Sequence, residues 1–284
     1  MYLKMNKVII GIDVGGSTTK IVGIKDNEII SPLKVRATDP ITSTFGAFGR
    51  FISENSFALS DIEKIMITGV GSSHIKEKIY GIGTAKADEF LAIGLGGQML
   101  TSKLNAIIIS MGTGTAIIRA DGDSITHMGG TGVGGGTLLG LSQIMLNIRD
   151  FDHVMELAAQ GDLSHVDLTV GDISKKTVSM LPPETTASNF GKLHELATKS
   201  DIALGIVNMI FQSIGMLAVF ACKVDNLNSV ILTGNLTVIP QAKQILKTMH
   251  EIFKIDFIIP QYAEYSTALG AAKAFFTGKD FEEL

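Results

Sequence analysis

A strand, a polar glycine turn and a second strand occur twice in this chain, about a hundred residues apart, and this repetition limits its possible folds more than any other feature. In the first copy Lys7–Gly11 and Lys20–Ile24 are short β-rich runs joined around Gly15 and Gly16. In the second, the apolar run Asn105–Ser110 passes through the tight turn Met111–Gly114 into Thr115–Ala120. Helical sequence follows each unit, so the expectation is an α/β fold of two similar lobes with a cleft between them. At 284 residues the chain is long enough for two cores. The lobes are placed at 1–100 and 101–284, with no low-complexity linker at the boundary. Other expected elements are helices over Ile41–Asn55, Ala85–Leu100, Gly136–Asn147, Asp152–Gln160 and Asp201–Asp225, and strands over Lys64–Thr68 and Val230–Thr233. Pro240 suits the first turn of a further helix, and Ser266 suits the cap of a last one over Thr267–Phe276.

The turns carry the chemistry. In Gly11-Ile12-Asp13-Val14-Gly15-Gly16-Ser17-Thr18-Thr19-Lys20 a strand ends on a carboxylate and turns on two glycines. Backbone N–H groups and the Ser17 and Thr18 hydroxyls can reach phosphate oxygens there without side-chain obstruction. Asp13 can hold Mg²⁺, usually through water, and Lys20 can offset phosphate charge. Met111-Gly112-Thr113-Gly114-Thr115 repeats this chemistry. Two such hairpins facing across a cleft would clamp the β- and γ-phosphates of ATP. Leu232-Thr233-Gly234-Asn235 ends a third strand, where backbone could pack beside adenine or ribose. Neither GxxxxGK[ST] nor a GxGxxG opening a helix after the first strand is present. The glycine run from Gly129 to Gly136 opens a helix, whose unpaired N–H groups and positive dipole end suit a phosphate. A flexible linker is the alternative reading of that run.

Composition narrows the function classes. A net charge of −4 with scattered lysines and arginines gives no footprint for nucleic acid or an acidic membrane surface. The single cysteine, Cys222, forms neither an internal disulfide nor a metal-binding cluster, which fits a reducing cytoplasm. The first apolar run ends at Asp13, unlike a secretory signal, and Met1–Lys7 leaves no room for a DNA-binding arm. Ala203–Cys222 is uncharged over twenty residues and approaches the length of a spanning helix. Asn208 and Gln212 share one face of it, at a cost against lipid, so a buried or subunit-interface helix is expected and no membrane partner.

In order and spacing the three motifs resemble those of the actin/Hsp70/sugar-kinase superfamily. The likeness implies a two-lobed actin-like ATPase fold of duplicated ribonuclease H-like domains, with the nucleotide cleft between the lobes. Within it, the run from Gly129 through Gly134-Gly135-Gly136 to Gly140-Leu141 resembles the GG-x-G-x-GGG-x-x-x-GL block of the type II pantothenate kinases. Gly161-Asp162, Val166-Asp167-Leu168, Gly171-Asp172-Ile173 and Thr186–Gly191 are similar to further segments, so the likeness runs from about Ile9 to Gly270. It implies a homodimer, paired through the long helix, that phosphorylates pantothenate with ATP and Mg²⁺. Carried over by position, the nucleotide contacts fall on Asp13, Val14, Gly15, Gly16, Ser17, Thr18, Thr19, Lys20 and Thr113, with Gly112 and Gly114 in the same turn. They continue on Gly135, Gly136, Thr137, Leu138, Leu139, Phe151 and Asn235, with Gly234 beside it.

The family's catalytic base falls on Glu89 of Asp88-Glu89-Phe90. By residue type alone, a carboxylate there could equally be a helix-end charge. The acceptor pocket falls on Glu89, Thr113, Ala116, His127 and Gly129. Ala116 stands where the family has serine and His127 where it has arginine, so a hydroxyl and a permanent planar cation are missing. Pantetheine or a sugar therefore remains an alternative acceptor. GIDVGGSTTK also resembles the ATPase activators of 2-hydroxyacyl-CoA dehydratases, whose iron–sulfur cluster needs cysteines that this chain lacks.

Overall fold

The computed structural model describes residues 7–37, 39–175, 181–278 and 281–284. Residues 1–6, which bear on the expected absence of a DNA-binding arm, lie outside them. β1 (Val8–Val14), β2 (Thr18–Lys25) and β3 (Glu28–Arg36) form an antiparallel meander. α1 (Pro40–Asn55) follows, capped by Asp39, whose carboxylate accepts from Thr42 N at 2.7 Å. β4 (Ile62–Thr68) runs parallel to β1, and β5 (Thr84–Ala87) parallel to β4. α2 (Glu89–Thr101) then leads to a second meander of β6 (Asn105–Met111), β7 (Thr115–Asp121) and β8 (Ser124–Thr131).

Next come α3 (Gly135–Leu146) and α4 (Phe151–Ala158), then a small ribbon of β9 (Leu168–Thr169) and β10 (Thr186–Ser188) with α5 (Val170–Ile173) between its strands. The long α6 (Lys199–Val224) precedes β11 (Ser229–Thr233), which runs parallel to β6. α7 (Ala242–Phe253), β12 (Asp256–Ile258), α8 (Ser266–Thr277) and β13 (Phe281–Glu283) complete the chain. The sheets are ordered β13-β5-β4-β1-β2-β3 and β12-β11-β6-β7-β8, so β3-β2-β1-β4-β5 in one matches β8-β7-β6-β11-β12 in the other. That duplication is the two-lobed actin-like ATPase arrangement.

Helices cover both faces at the centre of each sheet, which explains why the central strands β1, β6 and β11 read as largely apolar runs. α1 buries Phe48 and Phe51 against the outer face of the first sheet, among Ile10, Ile12 and Ile21. α8 covers the inner face with Ala268, Leu269 and Ala272 against Ile9, Val22 and Met66. On the second sheet, α3, α6 and α7 cover the outer face, and Ile93 of α2 packs with Ile108 and Ile118 on the inner one. α2 and α8 meet between the sheets at backbone distance. A Cβ on Gly96 would fall 1.9 Å from the Ser266 carbonyl oxygen, and one on Gly270 1.7 Å from that of Ala92.

Several expectations are corrected. Residues 85–87, read as the start of a helix, belong to the strand β5 hydrogen-bonded to β4, and Asp88 caps the helix after it. Pro240 precedes α7, which begins at Ala242. Ser266 is the first helical residue of α8, and its hydroxyl is buried without a partner among the described residues. The division at residue 100 does not hold for the last two elements: α8 buries its small apolar face on the first sheet, and β13 pairs with β5. α6 is long and apolar enough to cross a membrane, yet Ile206, Ile210, Phe211 and Ile214 lie in the core of the second lobe. Asn208 Nδ2 donates to the buried Asp167 carboxylate at 2.7 Å.

Candidate active site

The register of β1 on β2 sets Asp13 opposite Lys20. Their charged groups lie 3.5 Å apart and are nearly buried. Burial pushes the Asp13 carboxyl above its ordinary range, and Lys20 opposes that push. The turn beyond them is closed by Gly15 N donating to the Thr18 carbonyl at 3.0 Å. The β6–β7 turn comes close from the other lobe, since a Cβ on Gly16 would lie 3.8 Å from Thr113 Oγ1. Asn235, just past β11, also spans the cleft: its Nδ2 donates to Thr18 Oγ1 at 3.4 Å. Asn235 Oδ1 is buried without a partner among the described residues, an acceptor for a ligand hydroxyl or amine.

α2 delivers Glu89. Asp88 caps this helix by accepting from Leu91 N at 2.9 Å, which relieves Glu89 of that task. Burial, then the charges of Asp13 and Asp88, push Glu89 above the usual carboxylate range, with Lys20 opposing. Two carboxylates and one ammonium thus share one partly desolvated site.

A cavity of about 370 Å³ joins these parts. Of the expected residues, its wall includes Asp13, Gly15, Gly16, Ser17, Thr18 and Lys20 from the first turn, and Gly112, Thr113 and Gly114 from the second. Glu89, Ala116, His127, Gly234 and Asn235 complete that set. Val70, Phe90, Ile93, Ser110, Thr115, Thr131 and Thr267, none of them among the expected contacts, also line it. Phe90 adjoins Glu89, and Ser110 and Thr115 flank the second turn, so proximity to the motifs was the available signal for those three.

The remaining expected residues lie off the cavity wall. Val14 is in the core of the first lobe, and the buried Thr19 hydroxyl is 3.0 Å from that of Ser43 on α1. Leu138 belongs to the core of the second lobe, with Leu139 and Phe151 packed against it. Gly129 lies on β8. The start of α3 does not offer the expected unpaired N–H groups. Gly135 N donates to the Gly112 carbonyl and Gly136 N to that of Thr113, both at 2.9 Å, and Gly134 N donates to Thr137 Oγ1 at 3.2 Å. The helix start therefore braces the back of the phosphate-type turn. Glycine is needed for that approach, because a Cβ on Gly134 would fall 2.6 Å from the Thr113 carbonyl oxygen.

Among the described residues no group of three or more His, Cys, Asp or Glu side chains converges as a metal cage. Cys222 is buried in α6, and burial with the nearby Asp225 charge pushes its thiol up to about 11, unsuited to ligation or redox chemistry near neutral pH.

The chain is 28% identical over 272 residues to the type II pantothenate kinase of Bacillus cereus (strain G9842), covering 90% of this chain and 89% of that one. It is 30% identical over 237 residues to the type II pantothenate kinase of Bacillus anthracis, covering 80% and 82%. In fold it is similar to the activator of the 2-hydroxyisocaproyl-CoA dehydratase from Clostridium difficile with bound ADPNP. That likeness has a TM-score of 0.65 at 17% identity, over 96% of this chain and 98% of the other. The Fumble family profile matches residues 102–276. The chain belongs to the Fumble family, that of the type II pantothenate kinases.

Proposed function

We propose that this chain transfers the γ-phosphoryl group of ATP to the primary hydroxyl of pantothenate, the first step of coenzyme A biosynthesis. The observation that carries this reading is the convergence of Asp13 and Glu89 with the glycine turns of both lobes on one cavity. The turns at Gly15–Gly16 and Gly112–Gly114 offer backbone N–H groups, and Ser17, Thr18 and Thr113 offer hydroxyls, to the phosphate oxygens. Asn235 and Gly234 take the nucleoside side, with Asn235 Oδ1 open to a donor. Two carboxylates against one ammonium leave an excess negative charge that fits a divalent cation. Asp13 would hold Mg²⁺ through water, and the ion would neutralise phosphate charge during transfer.

The acceptor oxygen bonds to the γ-phosphorus as the bond to the β–γ bridging oxygen breaks, and ADP leaves with that electron pair. Glu89 takes the hydroxyl proton, and its raised pKa brings it nearer the operating pH, as suits a general base. Glu89→Gln should therefore lower kcat by roughly 10² to 10⁴ while nucleotide affinity, measured by calorimetry, stays near wild type. A kcat within about twofold of wild type would remove Glu89 as the base. Asp13→Asn should lose Mg²⁺-dependent turnover with the fold intact by circular dichroism; near-normal turnover would end the metal role.

A second reading keeps the kinase and changes the acceptor. Lys20 is the one lysine or arginine among the described residues of the cavity wall, and Asp13 already pairs with it. A neutral acceptor such as pantetheine needs no cation for a carboxylate. The chain is further read as a cytoplasmic homodimer. Met209, Met216, Phe220 and Val224 form a half-exposed to exposed apolar stripe on α6, at spacings of seven, four and four residues, which a second copy would cover.

A further inference from the structure

β7 and β8 pair with Ile117 opposite Gly129 and Ile118 opposite His127, so Met128 is an extra residue on β8. Side chains alternate along a strand. An unbroken register would set His127 opposite Arg119, on the face that meets Asp225 beyond α6. The bulge instead returns His127 to the face of Ile118, which packs on Ile93 of α2. Gly129, with φ at +146°, supplies the backbone conformation for the bulge. Turned this way, the His127 ring lies on Phe90, centroids 3.9 Å apart and planes 4° apart. Both rings border the cavity, and Phe90 directly follows Glu89 in the first turn of α2. The Asp88 cap ties that turn only to its own helix, whereas the ring stack ties it to the second lobe.

We propose that Phe90 is a positioning residue: stacked on His127, it holds the first turn of α2, and with it Glu89, at a fixed place relative to the phosphate-holding turn Gly112–Gly114. This rests on the reading of Glu89 as the base. The body of α2 is already fixed by close contacts, with Gly94 against Ile125 and Gly97 against Ile108. The stack therefore governs aim rather than folding.

A double-mutant cycle on pantothenate phosphorylation tests this. Phe90→Leu should lower kcat by about 3- to 10-fold, the rate equivalent of one aromatic pair, with little change in the KM for ATP. In a His127→Leu background the same change should cost little more, and Phe90→Tyr should recover most of the loss in the wild-type background. Additive losses, or a loss confined to KM, would overturn the proposal. The chain contains no tryptophan, so Phe90→Trp supplies a lone indole, excited selectively beyond the absorption of the tyrosines. Its emission should be quenched by the stacked imidazole and should rise in Phe90→Trp/His127→Leu; equal emission from both variants would overturn the stack itself. A wild-type chain that phosphorylates no pantothenate would overturn the functional reading, and the positioning role with it. Wild-type activity with an additive cycle would overturn the positioning role alone.

Discussion

Burial and the neighbouring carboxylates keep Glu89 protonated to a higher pH than an exposed glutamate. Its folded-state pKa is raised, so the folded chain binds that proton more tightly than the unfolded chain does. The penalty of the ionised form is absent below the unfolded value and complete above the folded one. Glu89→Gln should therefore melt higher than wild type at about pH 7 to 8, with the gain fading toward about pH 4, even though turnover collapses. A lower Tm at neutral pH would contradict the burial argument. At the acceptor end, Ala116→Ser with His127→Arg should lower the KM for pantothenate by about tenfold, the scale of one charge-assisted hydrogen bond; an unchanged KM would show that these positions do not read the acid. Asp13, both glycine turns and Asn235 were legible in the sequence because phosphate binding needs backbone and hydroxyls at strand ends. Val70, Ile93 and Thr267 were not, since they reach the cavity through helix phase and chain crossing, which no short motif records.

The elements differ in how plainly their glycines can be read. Gly46 and Gly49 sit on the exposed side of α1, where an added Cβ meets nothing within 4 Å. Alanine at either should stabilise the chain by about 0.5 to 1 kcal/mol in urea unfolding, because glycine loses more backbone entropy in a helix. Gly96→Ala or Gly270→Ala should do the reverse by about 3 kcal/mol or more, since carbonyl oxygens of the facing helix occupy the space. Equal effects at all four sites would refute the packing described for α2 on α8. The sequence marks α1 and α6 by their length and β1 and β6 by their apolar runs. Four-residue β5 is too short to stand apart from the helix after it, and Gly129 and Gly130 give β8 the composition of a loop. Pairing partners, not propensity, decide both strands.

On the scale of the molecule, the repeated strand order was legible from two glycine turns a hundred residues apart, whereas the return of α8 and β13 to the first sheet was not. A terminal helix of small residues fits equally well on either lobe until its partner surface is known. If the exposed stripe of α6 joins two copies, Phe220→Asp should halve the mass measured by light scattering and leave the circular dichroism unchanged; a wild-type monomer would contradict the dimer. The central claim concerns the cleft between the lobes, and the most direct measurement is product identity by mass spectrometry. The purified chain is given Mg²⁺-ATP with pantothenate, pantetheine or a panel of sugars. The account predicts 4′-phosphopantothenate, formed only with ATP and Mg²⁺ together and lost in Glu89→Gln. Phosphorylation of another alcohol with none of pantothenate, or ATP hydrolysis with no transfer to any acceptor, would contradict it.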